Sequence, residues 1–284
     1  MSQNRSRHEN VIMSTKDSAK KRKLGALPTV LALCLGGIFL FSLYHIIDTV
    51  SAYAEGANTY SRLASEVVSL KYSLQLSSDN DESAENKADA VPISVDFDAL
   101  LAVNEDVAGW LYCEGTPINY PVLQTTDNDY YLRRMINKEY NIAGSVFMDY
   151  RSRADLNSLN TIIYGHNMND DSMFGTFTYY KEQEYYDKHP VIWFLTPNAV
   201  FKIELIAGFV TDCASEAYTD FTSSDELNKY VGQVLAESTF CSAFDMAAVD
   251  SIVTLSTCSY EYSTARYVLI GAAEQITDTH EIDE

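Results

Sequence analysis

The sequence predicts a mainly β domain, a mostly antiparallel barrel or sandwich, that follows a single membrane-spanning helix. Three observations carry that prediction. Eight short β-favouring runs recur between turn-like segments from residue 108 onward. One 24-residue stretch near the N-terminus holds no Asp, Glu, Lys or Arg. The chain of 284 residues is 46% hydrophobic and 21% charged, with 20 tyrosines, a balance that suits a strand-rich globular protein.

The uncharged stretch runs from Leu24 to Ile47 and follows the basic cluster Lys20-Lys21-Arg22-Lys23. About 20 apolar residues cross a bilayer core. A cleaved secretory signal has a shorter apolar region and a small-residue cleavage site. Here Asp48 ends the stretch without such a site. The expectation is a cytoplasmic basic tail at 1–23, a transmembrane signal anchor at 24–47, and an extracellular body from residue 48 on, held to the cell membrane by a single pass. A cleaved signal is the competing reading.

Beyond the anchor, Leu63, Val67, Leu70 and Leu74 fall on one helical face. That spacing predicts an amphipathic helix over about 52–76, either a stalk or a helix packed on the main domain. Ser77 to Ala90 is small, polar and acidic and reads as a linker, so 48–90 forms a helical stalk and acidic linker. A short helix follows at 96–103 with Asp96 as its N-cap. Strands are expected at 108–112, 118–123, 145–148, 161–164, 191–195, 200–210, 252–256 and 267–272. Helical inserts fit 129–135, 172–180 and 224–237, the last with Ser224 as its cap and Glu226 in its first turn. The folded domain is therefore 91–275, and 276–284 is an acidic tail.

The net charge of −20 hides an asymmetry. Residues 1–47 hold seven Lys/Arg and two acids, leaving 13 basic against 38 acidic residues in the remainder. A body that acidic argues against a nucleic-acid partner, because phosphate binding relies on clustered Lys and Arg. The charge reads as a solvated surface.

Four cysteines lie beyond the anchor: Cys113, Cys213, Cys241 and Cys258. No C-x-x-C pair is present, which argues against a structural zinc site. Cys113, Cys213 and Cys241 read as packed residues or as one bridge among them. Cys258 ends the run Ile252-Val253-Thr254-Leu255-Ser256-Thr257, and a strand end presents a reactive group on a rigid support. If that strand pairs as a hairpin with the one that starts near Tyr267, Arg266 lies beside Cys258. A thiol nucleophile works as thiolate, and a nearby cation favours that form. The guanidinium also holds a substrate carbonyl or developing oxyanion. A proton shuttle is needed as well. His280 lies in the acidic tail and His189 precedes Pro190 as a turn residue, which leaves His166. It directly follows the strand ending Tyr164-Gly165, and its bland alternative is a satisfied polar turn residue.

These residues resemble a known family. Thr254-Leu255-Ser256-Thr257-Cys258 is similar to the TLxTC signature of sortases, the cysteine transpeptidases of Gram-positive cell surfaces. Tyr164-Gly165-His166-Asn167 resembles their histidine motif, and Arg266 stands at their arginine position. The order His, Cys, Arg is also theirs. Gly109-Trp110-Leu111, Ile118-Asn119-Tyr120-Pro121-Val122 and Asp127-Asn128-Asp129-Tyr130-Tyr131-Leu132 resemble class B members, as does the helix expected at 224–237. The likeness covers roughly 91–273. It implies an eight-stranded sortase-type barrel with N-terminal and inserted helices. It also implies attack by Cys258 after a Thr in the C-terminal sorting motif of a secreted protein, with NPQTN-like motifs favoured. The acyl group would pass to an amine of a peptidoglycan precursor, with His166 protonating the leaving amine and Arg266 steadying the oxyanion. Asn128, Leu132, Tyr164 and Ser256 would line the groove. No metal or other cofactor is implied. A non-enzymatic membrane-anchored binding module and a cysteine hydrolase are the competing readings.

Overall fold

Short turns pair neighbouring strands as hairpins, and longer connections bring distant strands together in parallel. Both occur in the computed structural model, which describes residues 26–71, 91–244 and 249–276. The basic tail, the acidic linker from Ser77 to Ala90, and the tail from residue 277, with His280, lie outside the described residues. Two compact units are present, residues 1–47 and 48–284. The helix α1 (Ala26–Val67) contributes to both. In the first unit its apolar side chains are exposed, and the helix is long and apolar enough to cross a membrane.

The second unit is built on a closed barrel of eight strands: β3 (Val107–Tyr112), β4 (Asn119–Leu123), β5 (Val146–Met148), β6 (Asn160–Tyr164), β7 (Val191–Leu195), β8 (Val200–Asp212), β9 (Ile252–Cys258) and β10 (Ala265–Ile276). Their order around the barrel is β10-β8-β7-β3-β4-β5-β6-β9. Each expected strand is present. Most pairs are antiparallel, but β4 with β5 and β6 with β9 run parallel. A further two-stranded ribbon, β1 (Val68–Leu70) with β2 (Ile93–Val95), was not legible from the sequence.

Strand periodicity explains the two hydrophobic layers. Along β10, Tyr267 and Leu269 join the barrel core with Leu255, Ile203 and Phe194. The alternate residues Val268 and Ile270 join a second cluster with Ile206, Phe209 and Ile252. Successive side chains on a strand point to opposite faces, so β8, β9 and β10 feed both layers. Helix α4 (Ser224–Glu237), counted after α2 (Phe97–Val103) and α3 (Gln183–Lys188), covers the outer layer with Leu227, Tyr230, Val231 and Val234. Those positions share one helical face. The pattern along β8 follows from this cover: Val200 to Leu205 alternates half-buried with buried, and Ile206 to Phe209 is buried on both sides.

Several helical expectations shift. The helix expected over 52–76 ends at Val67, where backbone pairing with β2 takes over; Leu63 and Val67 are buried, Leu70 is exposed, and Leu74 lies outside the described residues. Tyr60, Leu63 and Val67 enter the same core as the barrel, so this part of α1 is packed rather than a free stalk. The inserts expected at 129–135 and 172–180 are single 3-10 segments, Tyr130–Arg133 and Gly175–Lys181, wound more tightly than an α-helix. Asp96 caps α2 as expected, accepting from the Ala99 amide at 3.0 Å. For α4 the cap is Ser223 rather than Ser224: its Oγ accepts from the Glu226 amide at 3.3 Å, and the Glu226 carboxylate accepts from the Thr222 amide at 3.0 Å.

This arrangement separates two adjacent serines. Ser223→Ala is expected to lower stability by about 1 kcal/mol, and Ser224→Ala by about a few tenths. Thermal denaturation of the two variants checks the assignment; equal losses contradict it.

Candidate active site

Parity and register place the thiol and the cation together. On β9, Ile252, Thr254, Ser256 and Cys258 share one face, and Ile252 belongs to the outer layer. On β10, Arg266 shares the face of Val268 and Ile270. Cys258 and Arg266 are direct partners in the β9–β10 register, so their side chains leave the same face side by side. Cys258 is the half-exposed end of an otherwise buried strand. The Arg266 Nη1 donates to the carbonyls of Ala265 at 3.0 Å and Thr264 at 3.4 Å.

β6 lies on the other edge of β9, with Tyr164 opposite Ser256. His166 follows two residues after that strand end. Three hydrogen bonds join the two ends: Gly165 amide to Ser256 carbonyl at 3.1 Å, Thr257 Oγ1 to Gly165 carbonyl at 2.8 Å, and Asn167 Nδ2 to Cys258 carbonyl at 2.8 Å. The Phe174 ring lies against Gly165, where an added Cβ would come within 2.6 Å of it. The turn therefore needs glycine immediately before the histidine.

The His166 Nε2 is 2.7 Å from the Leu132 carbonyl oxygen. A carbonyl only accepts, so Nε2 carries the proton and Nδ1 of the neutral ring holds the open lone pair. Burial pushes the imidazole below its ordinary pKa, the Leu132 carbonyl pulls it back up in part, and Arg133 lowers it again. The neutral ring is thereby favoured.

These groups open onto one cleft of about 570 Å³. Its walls include His166, Cys258 and Arg266, and also Asn128, Leu132, Tyr164 and Ser256. All seven sequence-derived site residues are thus brought to one place. Their polar tips are largely engaged by protein partners. Asn128 Nδ2 and the Tyr164 hydroxyl donate to Asp149 Oδ2 at 2.9 and 3.0 Å, and the Ser256 hydroxyl is 2.8 Å from that of Tyr218.

Arg151, Tyr218 and Asp149 had no signal in the sequence. Arg151 and Tyr218 line the cleft, and Asp149 lies beneath it with 0% exposure. Arg151 grips Asp149 in a fork, Nε to Oδ1 and Nη2 to Oδ2, each at 2.8 Å. Burial alone raises the Asp149 carboxyl, but hydrogen bonds from the Arg151 side chain and amide, Asn128 and Tyr164 outweigh it and hold the pKa at about 2. The remaining cysteines are free thiols. Cys113 is buried, as expected of a packed residue, with its thiol 3.4 Å from the Val191 carbonyl. Cys213 and Cys241 are exposed rather than packed, and Cys213 lines the cleft. His189 caps α3, and its Nδ1 is 2.9 Å from the Glu114 carbonyl. Among the described residues no cluster of His, Cys, Asp and Glu is arranged to hold a metal ion.

A thiol, an imidazole and a guanidinium on one cleft form the constellation of a cysteine acyl-transfer enzyme. No family model matches the chain. Sortase B of Listeria monocytogenes serovar 1/2a is 36% identical over 177 residues, 61% of this chain and 71% of that protein. Sortase B from B. anthracis, in complex with AAEK1, superposes with a TM-score of 0.65 at 28% identity, over 80% of this chain and 100% of that one. A Staphylococcus aureus sortase B–substrate complex gives a TM-score of 0.60 at 30% identity, over 64% and 85% of the two chains. The chain belongs to the sortase B family, and it is a cysteine transpeptidase.

The Asp149 network has a pH signature. A carboxyl depressed by folding adds stability above the ordinary carboxylate range and loses it as pH falls toward the folded value. Thermal denaturation between roughly pH 5 and pH 2 is expected to show a steep acid loss in the wild type and a shallower one in Asp149→Asn, which is already weaker at neutral pH. Identical slopes rule out this origin.

Proposed function

We propose that Cys258 is the nucleophile, His166 the proton shuttle and Arg266 the oxyanion-holding cation of a sorting transpeptidation. The observation that carries this reading is the in-register pairing of Cys258 with Arg266 on the face that opens to the His166 cleft. The substrate is the C-terminal sorting motif of a secreted protein, lying along Asn128, Leu132, Tyr164 and Ser256. Because most of their polar tips are already bonded, these residues act chiefly as fixed walls that select shape.

The chemistry follows from the ring's protonation state. The neutral imidazole takes the thiol proton as Sγ attacks the carbonyl carbon after Thr. Arg266 faces the negative charge that develops on the carbonyl oxygen. The C–N bond breaks, and the imidazolium returns the proton to the leaving amine. An amine of a peptidoglycan precursor then attacks the thioester, gives its proton to the imidazole, and releases the thiolate. The substrate complex of the S. aureus relative supports the first half of this sequence. The basic cluster before Leu24 and the apolar part of α1 support a single-pass anchor that places residues 48–284 outside the cell.

The test incubates the full chain in detergent with NPQTN-like peptides and a nucleophilic amine. Wild type is expected to yield the peptide–amine conjugate, and Cys258→Ala none. Arg266→Ala is expected to lower kcat/KM about 10²-fold, with Arg266→Lys recovering only part because the donor fork is lost. Cleavage by Cys258→Ala at the wild-type rate would sink the assignment. Free acid as the sole product at saturating amine would make the enzyme a hydrolase instead.

A further inference from the structure

The histidine of a nucleophile–base pair is oriented by a third group. In this chain that group is the Leu132 backbone carbonyl, 2.7 Å from His166 Nε2. Its position depends on whatever holds the backbone at Leu132.

The 3-10 segment carrying Leu132 is fastened to the turn at 141–145. The Asn141 amide donates to the Arg133 carbonyl at 3.0 Å, and the Ser145 amide to the Tyr131 carbonyl at 3.1 Å. The Ser145 hydroxyl donates to the Arg134 carbonyl at 2.8 Å. Between these ties sits Gly144, with φ +57°, packed so closely that an added Cβ would lie 2.5 Å from the Leu132 oxygen. The turn cannot move without displacing that carbonyl.

The turn in turn is held by α1. The Tyr60 hydroxyl donates to the Gly144 carbonyl at 2.8 Å and lies 2.7 Å from the Ser145 hydroxyl. The Asn141 Nδ2 donates to the Ala52 carbonyl at 2.9 Å. Tyr60 is 2% exposed, with its ring set edge-on to Tyr120 at 5.5 Å between centroids. Its hydroxyl thus has one fixed location, directly behind the backbone that supports Leu132.

We propose that Tyr60 is a positioning residue for His166, acting through Gly144, Ser145 and the Leu132 carbonyl. The helix that begins as the apolar N-terminal stretch thereby sets the geometry of the proton shuttle. This rests on the role proposed above for His166.

The experiment compares Tyr60→Phe with Leu63→Ala in the full chain. Leu63 is buried on the same part of α1 but makes no hydrogen bond to the turn. Tyr60→Phe is expected to lower kcat about tenfold with KM nearly unchanged. It should also displace the NMR signal of the His166 Nε2–H, with a fall in melting temperature, from the Gly144 carbonyl left without its donor, that is smaller than that of Leu63→Ala. Leu63→Ala is expected to lower the melting temperature yet keep kcat when assayed below it. Wild-type kcat with an undisplaced His166 signal in Tyr60→Phe overturns the proposal. So does a loss of kcat that tracks melting temperature equally in both variants. If the wild type fails to transpeptidate, the reading of the preceding section fails, and the His166 signal still reports on the Tyr60 link.

Discussion

The candidate site depends on β9 being hydrogen-bonded along both edges. Antiparallel pairing with β10 puts Arg266 beside Cys258. Parallel pairing with β6 puts Tyr164 beside Ser256 and delivers the His166 turn to the same strand end. A register slip of one residue on either edge would turn every side chain to the opposite face. The buried run along β9 makes such a slip costly, since it would exchange Leu255 and Val253 in the barrel core for Thr254 and Ser256. The hydrophobic layers therefore do more than stabilise the barrel; they hold the β9–β10 hairpin that carries Cys258 and Arg266 in line with the strand end that carries His166.

Around that strand end, backbone atoms supply much of the precision. The Leu132 carbonyl orients His166, the Cys258 carbonyl accepts from Asn167, and the Gly165 carbonyl accepts from Thr257. The surrounding side chains are held by buried partners. Asp149 satisfies Asn128, Tyr164 and Arg151 at once, so one carboxylate fixes a whole wall of the cleft. A wall fixed in this way loses little conformational freedom when a peptide binds.

The strands were the most legible part of the chain, because alternation and β-favouring composition signal local structure directly. The 3-10 segments read as longer helices in the sequence because local composition does not show where a hydrogen-bond ladder ends or how tightly it winds. Ser223 and Ser224 are chemically equivalent as caps, and only the backbone angles of the folded helix select the first. The end of α1 at Val67 depends on pairing of the following residues with β2, a partner more than 20 residues away in sequence. Arg151 reaches the cleft from a turn and Tyr218 from the 3-10 segment Glu216–Tyr218, both placed by tertiary paths, and Asp149 is one acid among many in an acidic chain.

By itself the sequence determined the apolar helix, the eight strands, and the chemical identity of the thiol, imidazole and guanidinium, because each is a local property of composition, period or motif. The tertiary structure alone decided that Leu132 orients the histidine, that Asp149 ties down the cleft wall, and that Tyr60 stands behind the active-site turn. Apart from the local Arg151–Asp149 fork, those relations join residues 15 to 85 positions apart. They arise only when barrel closure and core packing bring buried polar groups within hydrogen-bonding distance, where leaving them unpartnered would be costly.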